Sequence, residues 1–159
     1  MVDRRITRIV AVLALVAAAG CTPRPTDELS IADLIPDTGA VLVWHVRTSD
    51  CLTCTLPDYD VRRLQAVDGD RFQLVVIHIG RESDQGVPSG FLQQRRIQPA
   101  RIHTIGPRQY GTLFPDRTPP LVELIADGTS IWRSKEALSQ DASRTIYEHL
   151  HEVLSSLQS

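Results

Sequence analysis

Two apolar runs without polar alternation, Val41–Val46 and Phe72–Ile79, dominate the first half of the chain. Such runs are typical of strands that are buried on both faces of an open sheet. Between them, Pro57 interrupts or restarts a helix in which apolar residues recur at helical spacing from Val61 to Val67. The order strand, helix, strand predicts a right-handed βαβ unit with parallel strands.

The remaining pattern predicts one α/β domain. We expect a short helix or turn at Ile31–Ile35, a helix at Phe91–Ile97, strands at Arg101–Ile105 and Leu121–Ala126, a hairpin turn at Asp127-Gly128 with a return strand from Ser130, and an amphipathic helix within Ala142–Leu157. The polar segments Arg81–Gly90 and Gly106–Arg117 are expected to be irregular.

The N-terminus has the pattern of an export signal. Three arginines precede an apolar run from Ile9 to Ala19, which is too short for a bilayer, where about 20 residues are needed, and fits a signal peptide. The segment Ala18–Cys21 resembles a bacterial lipobox, in which cleavage precedes a lipidated cysteine. Ala18 stands where Leu is usual, so a plain secretory signal is the alternative. We therefore predict a lipoprotein signal peptide at 1–20, a tether at 21–36 and one domain at 37–159.

Charge and cysteine content agree with export. Removal of residues 1–20 leaves 14 basic and 18 acidic residues, a net charge of about −4, which argues against a nucleic-acid partner. If Cys21 carries the lipid, the odd third cysteine is accounted for, and Cys51 and Cys54 are left as a pair outside the reducing cytosol.

Cys51 and Cys54 are spaced as Cys-x-x-Cys at the predicted start of a helix. Two thiols at this spacing can reach each other and can store two electrons as a disulfide. The free N–H groups and the positive end of the helix dipole favour a thiolate, with a pKa lowered from about 8.5 into the range of roughly 3.5 to 7.5. We therefore expect Cys51 to be the attacking thiol and Cys54 the resolving thiol.

Two features leave alternatives open. A static disulfide or half of a zinc site is compatible with the same two cysteines. Asp50 places a like charge beside Cys51, which would raise the thiol pKa if the carboxylate points inward and would matter little if it points to solvent.

The apolar strand, the Cys-x-x-Cys, a Thr118-Pro119 before a strand and the hairpin followed by a C-terminal helix together resemble the thioredoxin-like superfamily. The similarity is to its exported TlpA-like and redoxin branch, over about Val41–Leu157. It implies a thioredoxin-like fold with a central mixed sheet flanked by helices. It also implies that Pro119 is cis and faces the cysteine pair, with Pro120 as the alternative, and that Thr118 offers backbone groups to a bound substrate.

The resemblance also implies a proton shuttle for the resolving thiol, which thioredoxins place on the strand before the cysteines. His45 is the nearest counterpart, although the register could instead select Trp44. A histidine satisfied within the sheet is the alternative for His45. We interpret His78 and His103 as strand histidines without a ligand role.

The predicted function is extracytoplasmic thiol-disulfide exchange without a cofactor or a metal. The expected partners are protein thiols or disulfides, a membrane-bound electron donor and the membrane itself through a lipid anchor. The expected location is the bacterial cell envelope, with the domain on the periplasmic or extracytoplasmic side. The sequence does not fix the direction of electron flow.

Three rival functions follow from the same residues. A thiol peroxidase of peroxiredoxin type is suggested by Thr48, three residues before Cys51, although Trp44 stands where that motif has proline. A thioredoxin-fold copper chaperone would use the two cysteines and a distant histidine as soft ligands. A lipoprotein that uses the fold only for binding is the third.

Overall fold

A computed structural model describes residues 29–53, 57–135, 137, 141 and 144–157. The predicted signal peptide, Cys21 and Cys54 lie outside the described residues. The elements are α1 (Ile31–Leu34), β1 (Ala40–Arg47), α2 (Thr48–Thr53), α3 (Asp58–Asp68), β2 (Gln73–Ile79), a 3-10 turn (Glu82–Asp84), α4 (Gly86–Gln94), β3 (Arg101–Ile105), α5 (Pro107–Leu113), β4 (Leu121–Ala126), β5 (Thr129–Arg133) and α6 (Ile146–Ser156).

The five strands form one mixed sheet in the order β3-β2-β1-β4-β5. Strand β1 pairs in parallel with β2, with Val46 opposite His78, and antiparallel with β4, with Val43 opposite Glu123. The hairpin between β4 and β5 turns at Asp127 and Gly128, both with positive φ, as the Asp-Gly signal predicts. The mixed sheet confirms the predicted fold class.

Helices cover both faces of the sheet. On one face, α2, α3, α4 and α6 pack on alternate residues of the central strands, including Leu42, Trp44 and Val76. On the other face, α1 and α5 pack on Val43, Val75 and their neighbours. Because successive strand residues point to opposite faces, the unbroken apolar runs of β1 and β2 are explained by these two cores.

Three local predictions were wrong. The segment Gly106–Arg117 contains α5, which begins with Pro107 in the first turn, a position where proline loses no helical hydrogen bond. Helix α4 begins at Gly86, well before the predicted start at Phe91, because Pro88 lies within its first turn. Helix α2 begins at Thr48, three residues before Cys51.

Within the described residues, no helix is long and apolar enough to cross a membrane.

Candidate active site

The first turn of α2 lies at the carboxyl end of β1, which is central in the sheet. Asp50 is buried in this turn, and its Oδ2 accepts a hydrogen bond from the backbone N–H of Arg47 at 2.8 Å. An acidic side chain that reaches back to the residue before the helix satisfies a donor that would otherwise have no partner. Asp50 therefore points inward, which is the arrangement that raises the pKa of Cys51 and makes its thiol less reactive.

Cys51 is a free thiol and is only 6% exposed. Its side chain lines a small apolar crevice, formed with Trp44, Val46, Val76, Pro88, Phe91 and Leu92. Burial, followed by the charge of Asp50, raises the pKa of Cys51 to about 11. The prediction of an exposed thiolate with a lowered pKa was wrong, because Cys51 lies a full turn inside α2 and faces the core.

The cis peptide bond joins Pro119 to Pro120, so Pro120 is the cis proline and the assignment of Pro119 was wrong. Pro120 is the residue that directly precedes β4, which is the position that the resemblance implies. Pro119 is buried and its carbonyl accepts a hydrogen bond from Arg47 Nη2 at 2.6 Å. This bond ties the end of β1, just before α2, to the segment 118–120, which we call the proline loop. Thr118 is exposed in this loop.

An open groove of about 450 Å³ lies at this edge of the sheet. Its lining comes from α2, α5 and the proline loop, and comprises Arg47, Thr48, Ser49, Ile79, Pro107, Tyr110, Arg117, Thr118 and Pro119. The groove thus combines two guanidinium groups with hydroxyl groups and the Pro119 carbonyl. The side chain of Cys51 does not line it, since the thiol faces the apolar crevice instead.

His45 lies on the opposite face of the sheet from Cys51. Its ring packs edge-on against Phe114 at a centroid distance of 5.1 Å, and its Nδ1 lies 3.2 Å from Tyr110 Oη. Its Nε2 lies 3.4 Å from Glu123 Oε2. The proposed relay from His45 to the cysteine pair was wrong, because β1 alternation points Trp44 and Val46 to the Cys51 face and His45 away from it.

Glu123 is the fully buried acid of that opposite face. Arg117 donates two hydrogen bonds to its carboxylate, at 2.9 and 3.3 Å, and Arg133 Nε donates a third at 3.2 Å. Burial alone would raise the pKa of Glu123, but its contacts with His45, Arg117 and Ser130 hold it well below the usual range. Burial also lowers the pKa of His45, which Glu123 offsets only in part, so the ring is neutral near pH 7.

The sequence singled out Thr48, Thr118 and Pro119 but not the other residues that line the groove. Arg47 and Arg117 stand in segments interpreted as connections, and Tyr110 stands in a helix that was not predicted. The Thr118-Pro119 dipeptide before β4 was the signal that pointed to this groove. Among the described residues, no group of three or more His, Cys, Asp or Glu side chains is arranged to hold a metal ion.

No family model matches this chain, and no match was found among curated proteins. Solved structures do match over most of its length. The thioredoxin domain of a thiol-disulfide oxidoreductase from Bacteroides vulgatus has 11% identity and a TM-score of 0.53, and the match covers 74% of this chain and 81% of that one. The chain has a thioredoxin-like fold.

Two further structures support this assignment. A DsbF homologue from Corynebacterium diphtheriae has 16% identity and a TM-score of 0.52, over 80% of this chain and 76% of that one. A thioredoxin-like protein from Parabacteroides distasonis has 15% identity and a TM-score of 0.51, over 76% of this chain and 83% of that one. At these identities the likeness establishes the fold, and the activity must be argued from the residues of this chain.

Proposed function

We propose that this protein catalyses thiol-disulfide exchange and that Cys51 and Cys54 are its dithiol/disulfide pair. The observation that carries the proposal is the position of Cys51, on the helix after the central strand and joined through Arg47 to the loop of the cis proline. The Cys-x-x-Cys spacing supports it, since it permits a disulfide. Structural neighbours that are described as thiol-disulfide oxidoreductases share the fold.

The environment of Cys51 favours the resolving role over the attacking role that we expected. A protonated thiol facing an apolar crevice reacts poorly with an external disulfide, since the thiolate is the nucleophile. A resolving thiol instead attacks a sulfur that is held beside it, where proximity compensates for a small thiolate fraction. We therefore assign the attack on the substrate to Cys54 and the resolution to Cys51.

The exchange then proceeds in two balanced steps. The Cys54 thiolate attacks one sulfur of a substrate disulfide, which forms a mixed disulfide and releases the first substrate thiolate. Cys51 loses its proton and attacks Cys54, which forms the Cys51–Cys54 disulfide and releases the second thiolate. The substrate gains two electrons and the pair loses two. The reverse sequence oxidises a substrate dithiol, and the reduction potential of the pair decides the direction.

The groove at the carboxyl edge fits an extended polypeptide as the substrate. Thr118 is exposed in its lining. Arg47 binds the Pro119 carbonyl and Arg117 binds Glu123, and each guanidinium has further N–H groups that can donate to a substrate. We propose that a protein segment carrying the disulfide lies in this groove beside Pro119. The donors favour backbone carbonyls or acidic side chains of that segment.

An insulin-reduction assay with dithiothreitol tests the activity. Wild-type protein should accelerate reduction, and both Cys51→Ser and Cys54→Ser should abolish the acceleration. The roles are tested by trapping: Cys51→Ser should accumulate a mixed disulfide with the substrate, whereas Cys54→Ser should not. If the wild-type protein does not accelerate insulin reduction, the proposed function is wrong. If Cys54→Ser accumulates the mixed disulfide and Cys51→Ser does not, the assignment of the two roles is wrong.

We also propose an envelope location with a lipid anchor at Cys21. The support is the sequence of residues 1–21, with its basic start, apolar run and lipobox-like end. In an oxidising compartment a membrane-bound electron donor would then reduce the pair. Labelling with a radioactive fatty acid should mark the wild-type chain and not Cys21→Ser, and equal labelling of both would contradict the anchor.

The peroxidase alternative has less support. Thr48 does lie one turn before Cys51 on α2, as that motif requires. Its hydroxyl, however, contacts His78 and Asp84, and the raised pKa of Cys51 disfavours the peroxide-reactive thiolate. Consumption of hydrogen peroxide by the wild-type protein, and not by Cys51→Ser, would favour this alternative over exchange.

A further inference from the structure

Glu123 belongs to a chain of contacts that begins and ends in the groove. Tyr110 lines the groove, and its hydroxyl lies 3.2 Å from His45 Nδ1. His45 Nε2 lies 3.4 Å from Glu123 Oε2, and the Glu123 carboxylate accepts two hydrogen bonds from Arg117, which also lines the groove. The fully buried carboxylate therefore holds two groove residues, one directly and one through an imidazole.

The protonation states give this chain of contacts a direction. Burial raises the pKa of Glu123, but its contacts with His45 and Arg117 hold it well below the usual range, so the carboxylate is ionised. Burial lowers the pKa of His45, so the ring is neutral near pH 7, and its single N–H belongs at Nε2, beside the carboxylate. Nδ1 is then an acceptor, and the Tyr110 hydroxyl donates to it. Tyr110 therefore presents only its oxygen, as an acceptor, to the groove.

Arg47 and Arg117 are the cationic donors that remain in the groove. Arg117 uses Nε and Nη2 on Glu123, so within the described part of the chain its Nη1 group is left for a ligand. Arg47 uses Nη2 on the Pro119 carbonyl, which leaves its Nε and Nη1 groups. Burial raises the pKa of Tyr110, and the charges of Arg117 and Arg47 lower it in part. Both guanidinium groups thus act on the same hydroxyl, and their charges converge on one part of the groove.

The walls of the groove do not neutralise this charge. None of the described residues that line it is acidic. Three carboxylates on neighbouring elements have other partners: Glu123 binds its arginines from the buried side, Asp50 binds the backbone N–H of Arg47, and Asp84 binds the Thr48 hydroxyl. The whole chain has a net charge of −2, so the positive groove is opposite in sign to the rest of the protein. A local excess of positive charge of this kind favours an anionic ligand.

We propose that Arg47 and Arg117 together bind the side-chain carboxylate of an aspartate or glutamate in the substrate, so that the protein prefers disulfides beside an acidic residue. This inference rests on the proposed exchange function, and it chooses between the two ligands that the groove donors suit. A carboxylate has two oxygens and a negative charge, so it can accept from both guanidinium groups and offset their charge. A backbone carbonyl would cover the same cations without offsetting their charge.

Arg47 determines where this acid lies relative to the disulfide. Its Nη2 group binds the Pro119 carbonyl at 2.6 Å, and it directly precedes α2, the helix that contains Cys51. An acid bound by Arg47 therefore lies between the proline loop and the start of the cysteine helix. The substrate cysteine must reach Cys54 from the same segment, so we expect the acid to be close to that cysteine in the substrate sequence.

The test measures binding to the full chain without turnover. The probes are a capped pentapeptide with glutamate on both sides of a central serine and its twin with glutamine at both positions, each titrated while protein NMR spectra are recorded. The glutamate peptide should bind about tenfold more tightly, the effect of one charge-assisted hydrogen bond. Arg47→Gln should abolish this preference, and Arg47→Lys, which keeps the charge, should retain part of it. The matched control is Arg108→Gln, which removes the same charge from an exposed position of α5 outside the groove lining and should keep the full preference.

Equal affinity of the two peptides for the wild-type chain would overturn the proposal, and so would a preference that survives in Arg47→Gln. Arg117→Gln provides the same test if Arg47→Gln does not fold: the preference should again be lost, and an unchanged preference would contradict the proposal. The peptides contain no cysteine, so their titration does not depend on exchange. A chain that prefers the glutamate peptide but does not accelerate insulin reduction would refute the exchange function and leave the acidic ligand of the groove supported.

Discussion

Replacing Asp50 with Asn removes the charge beside Cys51 and leaves the local fold in place. The Asp50 side chain accepts one hydrogen bond, from Arg47 N–H, and the Asn amide oxygen can accept the same bond. The substitution therefore isolates the electrostatic effect of the carboxylate on the thiol. It asks how much of the low reactivity of Cys51 comes from Asp50 and how much from burial.

The size of the effect follows from the thiol itself. Burial and Asp50 together raise the pKa of Cys51 from 9.0 to about 11, and burial is the larger cause. This shift of two units corresponds to about 2.7 kcal/mol. Asp50 is the smaller of the two causes, so Asp50→Asn should lower the pKa of Cys51 without returning it to its ordinary value. The thiolate fraction should therefore rise at any pH well below the pKa, about tenfold for each unit by which the pKa falls.

The assay is alkylation of Cys51 in the background with Cys21→Ser and Cys54→Ser, supported by the ultraviolet absorbance of the thiolate against pH. Asp70→Asn is the matched control, because Asp70 is exposed in the turn after α3. It should leave the titration unchanged. If Asp50→Asn also leaves the pKa of Cys51 unchanged, or raises it, the electrostatic part of our account is wrong.

Three further predictions concern stability. Glu123→Gln should destabilise the protein by about 3 kcal/mol in urea denaturation, near the lower end for breaking a buried ion pair, because its partners Arg117 and Arg133 keep 20% and 25% exposure. The control Glu82→Gln changes an exposed residue and should cost little. Equal costs for the two variants would contradict the stabilising role of the buried ion pairs. Burial alone would raise the pKa of Asp68, but its contacts with His151 and Arg71 outweigh burial and lower this pKa. The ionised Asp68 side chain therefore stabilises the fold fully above its ordinary pKa, and this stabilisation is lost as the pH falls through the lowered pKa. The stability cost of Asp68→Asn should accordingly shrink in acid, and a cost that does not depend on pH would refute this. Leu150→Ala should cost about 2 to 5 kcal/mol, since this fully buried side chain leaves a cavity between α6 and the sheet; a cost below that of an exposed substitution would refute the packing.

Periodicity was sufficient to predict the frame of the fold. The two apolar runs became the central parallel strands, the Asp-Gly turn became the hairpin, and Arg101–Ile105 became β3 with the predicted bounds. These signals are local, because they depend on burial of whole strands and on the φ preferences of a two-residue turn. Helix α5 was missed because Pro107 and Gly111 discourage a helix locally, while burial of Tyr110 stabilises it.

The candidate site was harder to predict because it depends on which face each residue takes. One position in β1 separates Trp44, on the Cys51 face, from His45, on the Glu123 face. The depth of Cys51 depends on where α2 begins, and the Asp50 cap that moves this start to Thr48 carries no strong sequence signal. A shift of one position in β1 would therefore exchange the two faces of the sheet for every side chain of this strand.

The most direct test of the central claim is a redox titration of the wild-type chain in glutathione buffers, read by mass spectrometry of the peptides that contain the cysteines. We predict one reversible two-electron transition between a Cys51–Cys54 disulfide and two free thiols. If both thiols stay separately alkylatable in every buffer, the two residues do not form a redox pair, and the proposed exchange mechanism is wrong.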